Sequence, residues 1–264
     1  MAKRKLPART ELTTTGAEHM PAFMQNVDHG VEELSQFVVP PRFKMVQKQS
    51  GAPFDNYAPG TALVLPAQVE LAGPSEAFHF VPLFFFAEWC LWNPIQLKDQ
   101  LPMIRERTLD KTSPMVALAR DPERWSITCP ENEKFECRYV EHLNFVVMPV
   151  YHHAIDGVPF NITFSKSEHR TGANLASLVR MRRAPIFGCV MEARSARRAN
   201  AMGDWWGLDV SQPSAESGVE PWVTEQQMFE LYQEMHLELK AQHESRVLRP
   251  DYDDTVTETI DAEC

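Results

Sequence analysis

The chain is expected to fold as a mainly β, α+β protein: a Greek-key barrel with one inserted helix and a second helix towards the C-terminus. Three observations predict this. Strand-length apolar runs bounded by turn residues dominate from Phe37 to Val210. The apolar period changes to helical spacing only once among them, after Thr171. From Trp222 to about Arg246 a single apolar stripe, Met228, Leu231, Tyr232, Met235 and Leu239, recurs at helical period.

Residues 1–36 join a basic start (Lys3, Arg4, Lys5, Arg9) to Thr, Gly and Pro without periodicity, which reads as a mobile arm. The folded domain is expected over residues 37–213. Arg42 to Val46 alternates basic and apolar side chains as a half-buried strand does, Pro59-Gly60 marks a turn, and Thr61 to Val69 is a second strand. Phe78 to Trp92 is so rich in aromatic residues that it reads as a strand buried on one side and busy on the other. Five prolines between Pro94 and Pro130 predict an irregular insertion near 93–134, with one short helix at Met115 to Ala119. Strands return at Cys137 to Val150 and Val158 to Phe164, joined through Asp156-Gly157. A helix follows with Thr171 as N-cap and ends before Pro185; Ile186 to Ala193 and Trp205 to Val210 then form two strands around an Arg-rich loop. Segment 214–250 holds the last helix, opened by a Thr224/Gln227 capping box, and 251–264 is an acidic disordered tail. A helix set between the third and fourth strands of a small barrel is the OB-fold arrangement, which binds oligonucleotides on an open face.

Charge is unevenly placed. Residues 216–264 hold 13 Asp/Glu against 3 Lys/Arg, so they carry the whole net charge of −10. The segment from Phe160 to Asn200 is basic, with Lys166, Arg170, Arg180, Arg182, Arg183, Arg194, Arg197 and Arg198 against Glu168 and Glu192. A basic surface that an acidic end can screen suits a protein handling a polyanion. The five cysteines are odd in number and scattered, which fits a reducing cytoplasm; Cys129, Cys137 and His142 lack the paired spacing of a structural zinc site. Neither a signal-length apolar stretch nor an 18-residue apolar run is present, so export and membrane insertion are not expected.

The motifs Arg42-Phe43-Lys44-Met45-Val46-Gln47, Phe80 to Phe86, Trp89-Cys90-Leu91-Trp92-Asn93-Pro94, Phe160 to Phe164 leading into His169-Arg170-Thr171-Gly172, and Gly203-Asp204-Trp205-Trp206 occur in this order. That order resembles tailed-bacteriophage single-stranded DNA-binding proteins with OB-folds, over about residues 40 to 240. The resemblance implies sequence-independent binding of single-stranded DNA in phage replication or recombination, in the host cytoplasm. It also implies an acidic tail, here Asp251, Asp253, Asp254, Glu258, Asp261 and Glu263, that competes with DNA and recruits replication or recombination proteins. A homo-oligomer is compatible with it.

Such binding needs cations for phosphates and flat side chains for bases. Candidates are Lys44, Lys48, Lys166, His169, Arg170, Arg180, Arg182, Arg183 and Arg197 for the first, and Phe86, Trp89, Trp92 and Trp205 for the second. At least one of Trp89 and Trp92 should reach the surface, one of Trp205 and Trp206 should be core and the other exposed, and Lys166 to Gly172 should present a helix N-terminus to phosphate. The nucleophile, phosphate-loop and metalloprotease motifs are missing, so neither catalysis nor a cofactor is expected. Two other classes stay open: a phage assembly adaptor that uses its aromatic strand and Met-rich helix for protein contacts, and a metal-dependent nuclease built on His152, His153 and Asp156.

Overall fold

Two long antiparallel strands organise the chain in the computed structural model, which describes residues 41–150, 152, 155, 157–200, 203–250 and 252. They are β4 (Ala77–Trp92) and β7 (Glu136–Val150), paired from His79 opposite Val150 to Trp92 opposite Arg138. The other strands are β1 (Arg42–Met45), β2 (Ala62–Leu65), β3 (Val69–Ala72), β5 (Ile104–Thr108), β6 (Ser126–Thr128), β8 (Phe160–Phe164), β9 (Met191–Asn200) and β10 (Gly203–Ser211). Three α-helices accompany them among the described residues: α1 (Pro114–Arg120), α2 (His169–Met181) and α3 (Gln226–Glu244). All ten strands form one mixed sheet in the order β10-β9-β4-β7-β8-β1-β2-β3, with β5 on the far end of β4 and β6 on the far end of β7. The chain is therefore mainly β, with a few helices.

A bulge decides which side of β4 is inside. Pro82 pairs with Val147 and Phe84 with Val146, so Leu83 is an extra residue and the alternation of side chains reverses there. Before the bulge, Phe78 and Phe80 point into the main core with Phe145, Val147, Phe160, Ile162 and Phe164. After it, Phe84 and Phe86 point outwards, under α3. The sequence expectation of one busy face fails because α3 covers it with Tyr232 and Leu239, and Met228, Phe229 and Met235 pack beside them. Leu231, expected on the same stripe, faces solvent.

The sheet curls. The side-chain amide of Gln47, just past β1, accepts from Trp206 N and donates to Trp206 O at 2.8 and 2.7 Å, standing in for a peptide group between the first strand and β10. Leu175 of α2 seals one end of the enclosed core. Gly172 lets the helix approach, since a Cβ there would lie 2.6 Å from Phe164 Cβ, an atom fixed to the β8 backbone. Gly172→Ala should therefore cost about 1–3 kcal/mol by overpacking, read as a lower urea midpoint; an unchanged midpoint would show that α2 is free to shift.

Several sequence expectations are corrected. The insertion contains β5 and β6 besides the expected helix, which is capped by Ser113. Thr61 to Val69 spans two strands, not one. The stretch after Pro185 opens with a short 3-10 turn, and β9 starts at Met191 and runs to Asn200, so Arg194, Arg197 and Arg198 sit on a strand and not in a loop. α2 starts at His169 with Glu168 in the capping position, in place of Thr171, and α3 starts at Gln226 without the Thr224/Gln227 box. The arm, the strand start at Phe37, and all six acidic residues named for the tail lie outside the described residues. Among the described residues no helix is long and apolar enough to cross a membrane.

Candidate functional site

The insertion, the start of β7 and the segment after β8 meet around a cleft of about 540 Å³. Ala119 and Arg120 at the end of α1, and Trp125 before β6, form one wall; Arg138, Tyr139, Val140 and Glu141 line the bottom along the edge of β7 between its pairings with β6 and β8; Lys166 and His169, on the turn into α2, form the other wall. A second hollow of about 210 Å³ shares Arg138, Val140 and Lys166 with it and extends past Trp92, Lys134 and Phe135. Together they make a groove with cations and flat rings side by side.

Local structure explains the placement. On β7 the strand alternation turns Arg138 to one side and Tyr139 to the other, and the Arg138 guanidinium lies 4.9 Å from the Trp125 ring centroid. Glu141 sits on the floor as a buried anion. Burial alone would raise its pKa, but hydrogen bonds from His169 and Arg120 outweigh that and hold the carboxyl down at about 2. It thereby fixes Arg120 and His169 on opposite walls. The Arg120 guanidinium also covers the Trp89 ring at 5.7 Å.

Of the residues expected from sequence, Lys166, His169 and Trp92 line the groove. Trp89 does not: it is 1% exposed, and Trp92 is 5% exposed with its Nε1 donating to His142 Nε2 at 3.1 Å. The expectation that one of these two rings stands at the surface is thus corrected; both fill space at the end of β4. Phe86 is buried under α3. Trp205 and Trp206 are both half-buried, not one in and one out. Trp205 Nε1 reaches Glu168, and Trp206 lies over Gly60, where a Cβ would come within 2.7 Å of its ring.

Much of the anticipated basic surface is compensated internally. Lys48 and Arg197 both bind Asp204 at 2.8 Å. Arg198 binds Glu168 and Asp209. Glu168 also accepts from Leu208 N at 3.1 Å, so the α2 N-terminus offered to phosphate is tied to β10 by the protein's own carboxylate. Gly207 leaves room for this bridge, because a Cβ would lie 2.2 Å from Arg198 Nε. Lys44 is buried with its ammonium 5.3 Å from the Phe54 ring. Arg182 donates to the carbonyls of Val190 and Pro221 and covers Trp222, a structural tie. Arg180 and Arg183 are exposed, but Arg180 stands roughly 17 Å from His169 along the helix axis and Arg183 lies beyond the end of α2. Arg170 is exposed in the first turn of α2, next to the groove.

Cys129, Cys137 and His142 do not come together as a metal set. Cys137 and His142 are five residues apart on β7 and so face opposite sides. His153 and Asp156 lie outside the described residues, and among the described residues no three potential ligands cluster. Sequence reading missed Arg120, Trp125, Lys134, Arg138 and Tyr139. The available signal was the alternation Glu136-Cys137-Arg138-Tyr139 entering a strand, which marks one outward cation and one ring at its mouth.

A family model described as Pam3 phage gp34-like protein matches residues 13–245. No curated protein and no solved structure matches the chain.

Proposed function

The chain belongs to the Pam3 phage gp34-like protein family, and from that premise we propose that it binds single-stranded DNA without sequence preference, along the groove between the insertion, the start of β7 and the turn into α2. The observation that carries the reading is the groove itself, where Arg138 and Lys166 line both hollows and the half-buried rings of Trp125 and Tyr139 line the first. Cations track phosphates there while rings offer stacking surfaces, and the whole acts without a cofactor or a chemical step. Connectivity supports it. The strands β4, β7, β8, β9 and β10, with α2 between the third and fourth of them, come in the sequence order of the elements of an OB barrel, although β8 pairs with β1 and not with β10; such barrels bind on the face of their second and third strands and the loop after the first. Here those are β7, β8 and the insertion. The acidic tail would compete for the groove and recruit replication or recombination proteins. A second reading, an assembly adaptor, is favoured by Leu231 and Leu237 on the outward face of α3, which are 45% and 57% exposed.

The test is a fluorescence titration with oligo-dT at several salt concentrations. Binding should quench the half-buried Trp125, weaken with salt, and be lost more slowly with salt in an Arg138→Gln, Lys166→Gln double variant. Two phosphate contacts fewer lower the log-log slope by about 1.4 for a single strand. Absence of binding at low salt, or an unchanged slope in the folded double variant, would overturn the reading; capture of a protein partner through α3 with no DNA affinity would favour the adaptor.

A further inference from the structure

Beside the groove, on the outer face of β7 and β8, a side chain from the end of the chain occupies a slot shaped for a ring. Tyr252, expected from sequence to belong to the mobile tail, stacks on His142 with centroids 4.2 Å apart and planes 18° apart. The Arg107 guanidinium lies 5.1 Å from its ring centroid, and Trp92 meets it edge-on. Its hydroxyl donates to Glu88 Oε2 and accepts from Asn144 Nδ2 at 3.1 Å. Both partners are buried and held in place: Arg107 grips Glu88 with two 2.8 Å hydrogen bonds, and Thr163 and Asn161 donate to Asn144 Oδ1.

We propose that this slot is a nucleobase pocket, and that Tyr252 is a built-in occupant which an unpaired base displaces; the proposal rests on the single-strand reading above and deepens it. The slot offers one fixed acceptor, the Glu88 carboxylate, beside one fixed donor, the Asn144 amide, above a flat imidazole. Every nucleobase carries the complementary pair on its Watson–Crick edge: an amino group beside a ring nitrogen in adenine and cytosine, or a ring N–H beside a carbonyl in guanine and thymine. In a duplex that edge is already paired. The slot therefore accepts any base of a single strand and none of an intact duplex, a source of strand selectivity that needs no sequence preference. Tyr252 satisfies the two buried polar groups until a base arrives, so they are not left unpaired. Asp251, Asp253 and Asp254 flank it in sequence, as phosphates flank a base. Trp92 contacts both the slot and the second hollow, so a strand lying in the groove reaches the slot directly.

The experiment compares the intact chain with Tyr252→Ser and with a truncation after Arg249, using oligo-dT and the same oligomer methylated at thymine N3. Both variants should bind oligo-dT about tenfold tighter if Tyr252 holds the slot nine-tenths of the time, and N3 methylation should abolish the gain, because it removes the N–H that Glu88 accepts. Asn144→Leu in the Tyr252→Ser background should abolish it too. Melts establish folding, and either variant suffices if the other fails to fold. Equal affinity for the two oligomers in a folded variant overturns the slot, as does a gain on truncation with none in Tyr252→Ser, which would be a pure charge effect. The two readings separate cleanly. If oligo-dT affinity follows Arg138 and Lys166 while methylation has no effect, the slot fails and the groove stands; if the intact chain ignores oligo-dT while Tyr252→Ser binds thymidine monophosphate, the groove fails and the slot stands.

Discussion

Trp89→Ala is expected to lower folding stability by about 3–5 kcal/mol while leaving the oligo-dT affinity of the folded fraction nearly unchanged. Sequence alone offers Trp89 as a stacking platform, but its ring is sealed among Leu91, Leu97, Met115, Cys129 and Cys137. That cluster fastens α1 and the rest of the insertion to the end of β4, and hence the wall of the groove to its floor. Removing the indole opens a cavity that β4 cannot collapse into, since β5 and β7 hold its two edges. Trp89→Phe should cost much less, about 1 kcal/mol, because it keeps most of the buried area and discards an indole N–H that has no hydrogen-bond partner among the described residues. Urea melts on both variants, run beside the titration, decide the matter. An alanine variant of normal stability that has lost its DNA affinity would return Trp89 to the binding surface.

The contrast between Trp89 and Lys166 shows what was legible in the sequence. Local periodicity placed β4, β7 and α2 within a few residues, because each carries a long pattern, and the short helix expected at Met115 to Ala119 is present as α1. β5 and β6 were hidden because neither is apolar: Ile-Arg-Glu-Arg-Thr and Ser-Ile-Thr pair with the ends of the long strands without facing the main core. Charge patterning located the basic segment but not its compensation. Asp204 neutralises Arg197 across a hairpin whose register has to be known, and Glu168 reaches Arg198 from thirty residues away at the start of α2. Burial was the weakest inference. Aromatic residues on both faces of β4 can satisfy either a binding surface or two cores, and the bulge at Leu83 together with the α3 cover, neither visible as a motif, selects two cores.

His142 gives the second large effect, in acid. The ring is fully enclosed, and burial first, then the charges of Lys166, Arg107 and His169, push its pKa down to about 3. Trp92 donates to Nε2, so the neutral ring carries its proton on Nδ1, and protonation would bury a cation among three others. An unfolded histidine titrates near 6.5. Between about 6.5 and 3 the unfolded chain therefore binds more protons than the folded one, and stability falls as pH falls. It is present in full above 6.5; the loss from this group reaches about 2 kcal/mol at pH 5 and about 3 kcal/mol at pH 4. Glu141 adds its own loss only lower down, as pH drops from the ordinary carboxylate range towards its folded value of about 2. His142→Gln keeps an acceptor for Trp92 and cannot titrate. It should be less stable than the parent at pH 7, yet lose about 2 kcal/mol less between pH 7 and pH 5. Parallel stability profiles for parent and variant across that interval would show that the imidazole is solvated in the folded chain. In that case the flat, neutral floor on which Tyr252 and an incoming base are proposed to stack would carry a charge below pH 6.5.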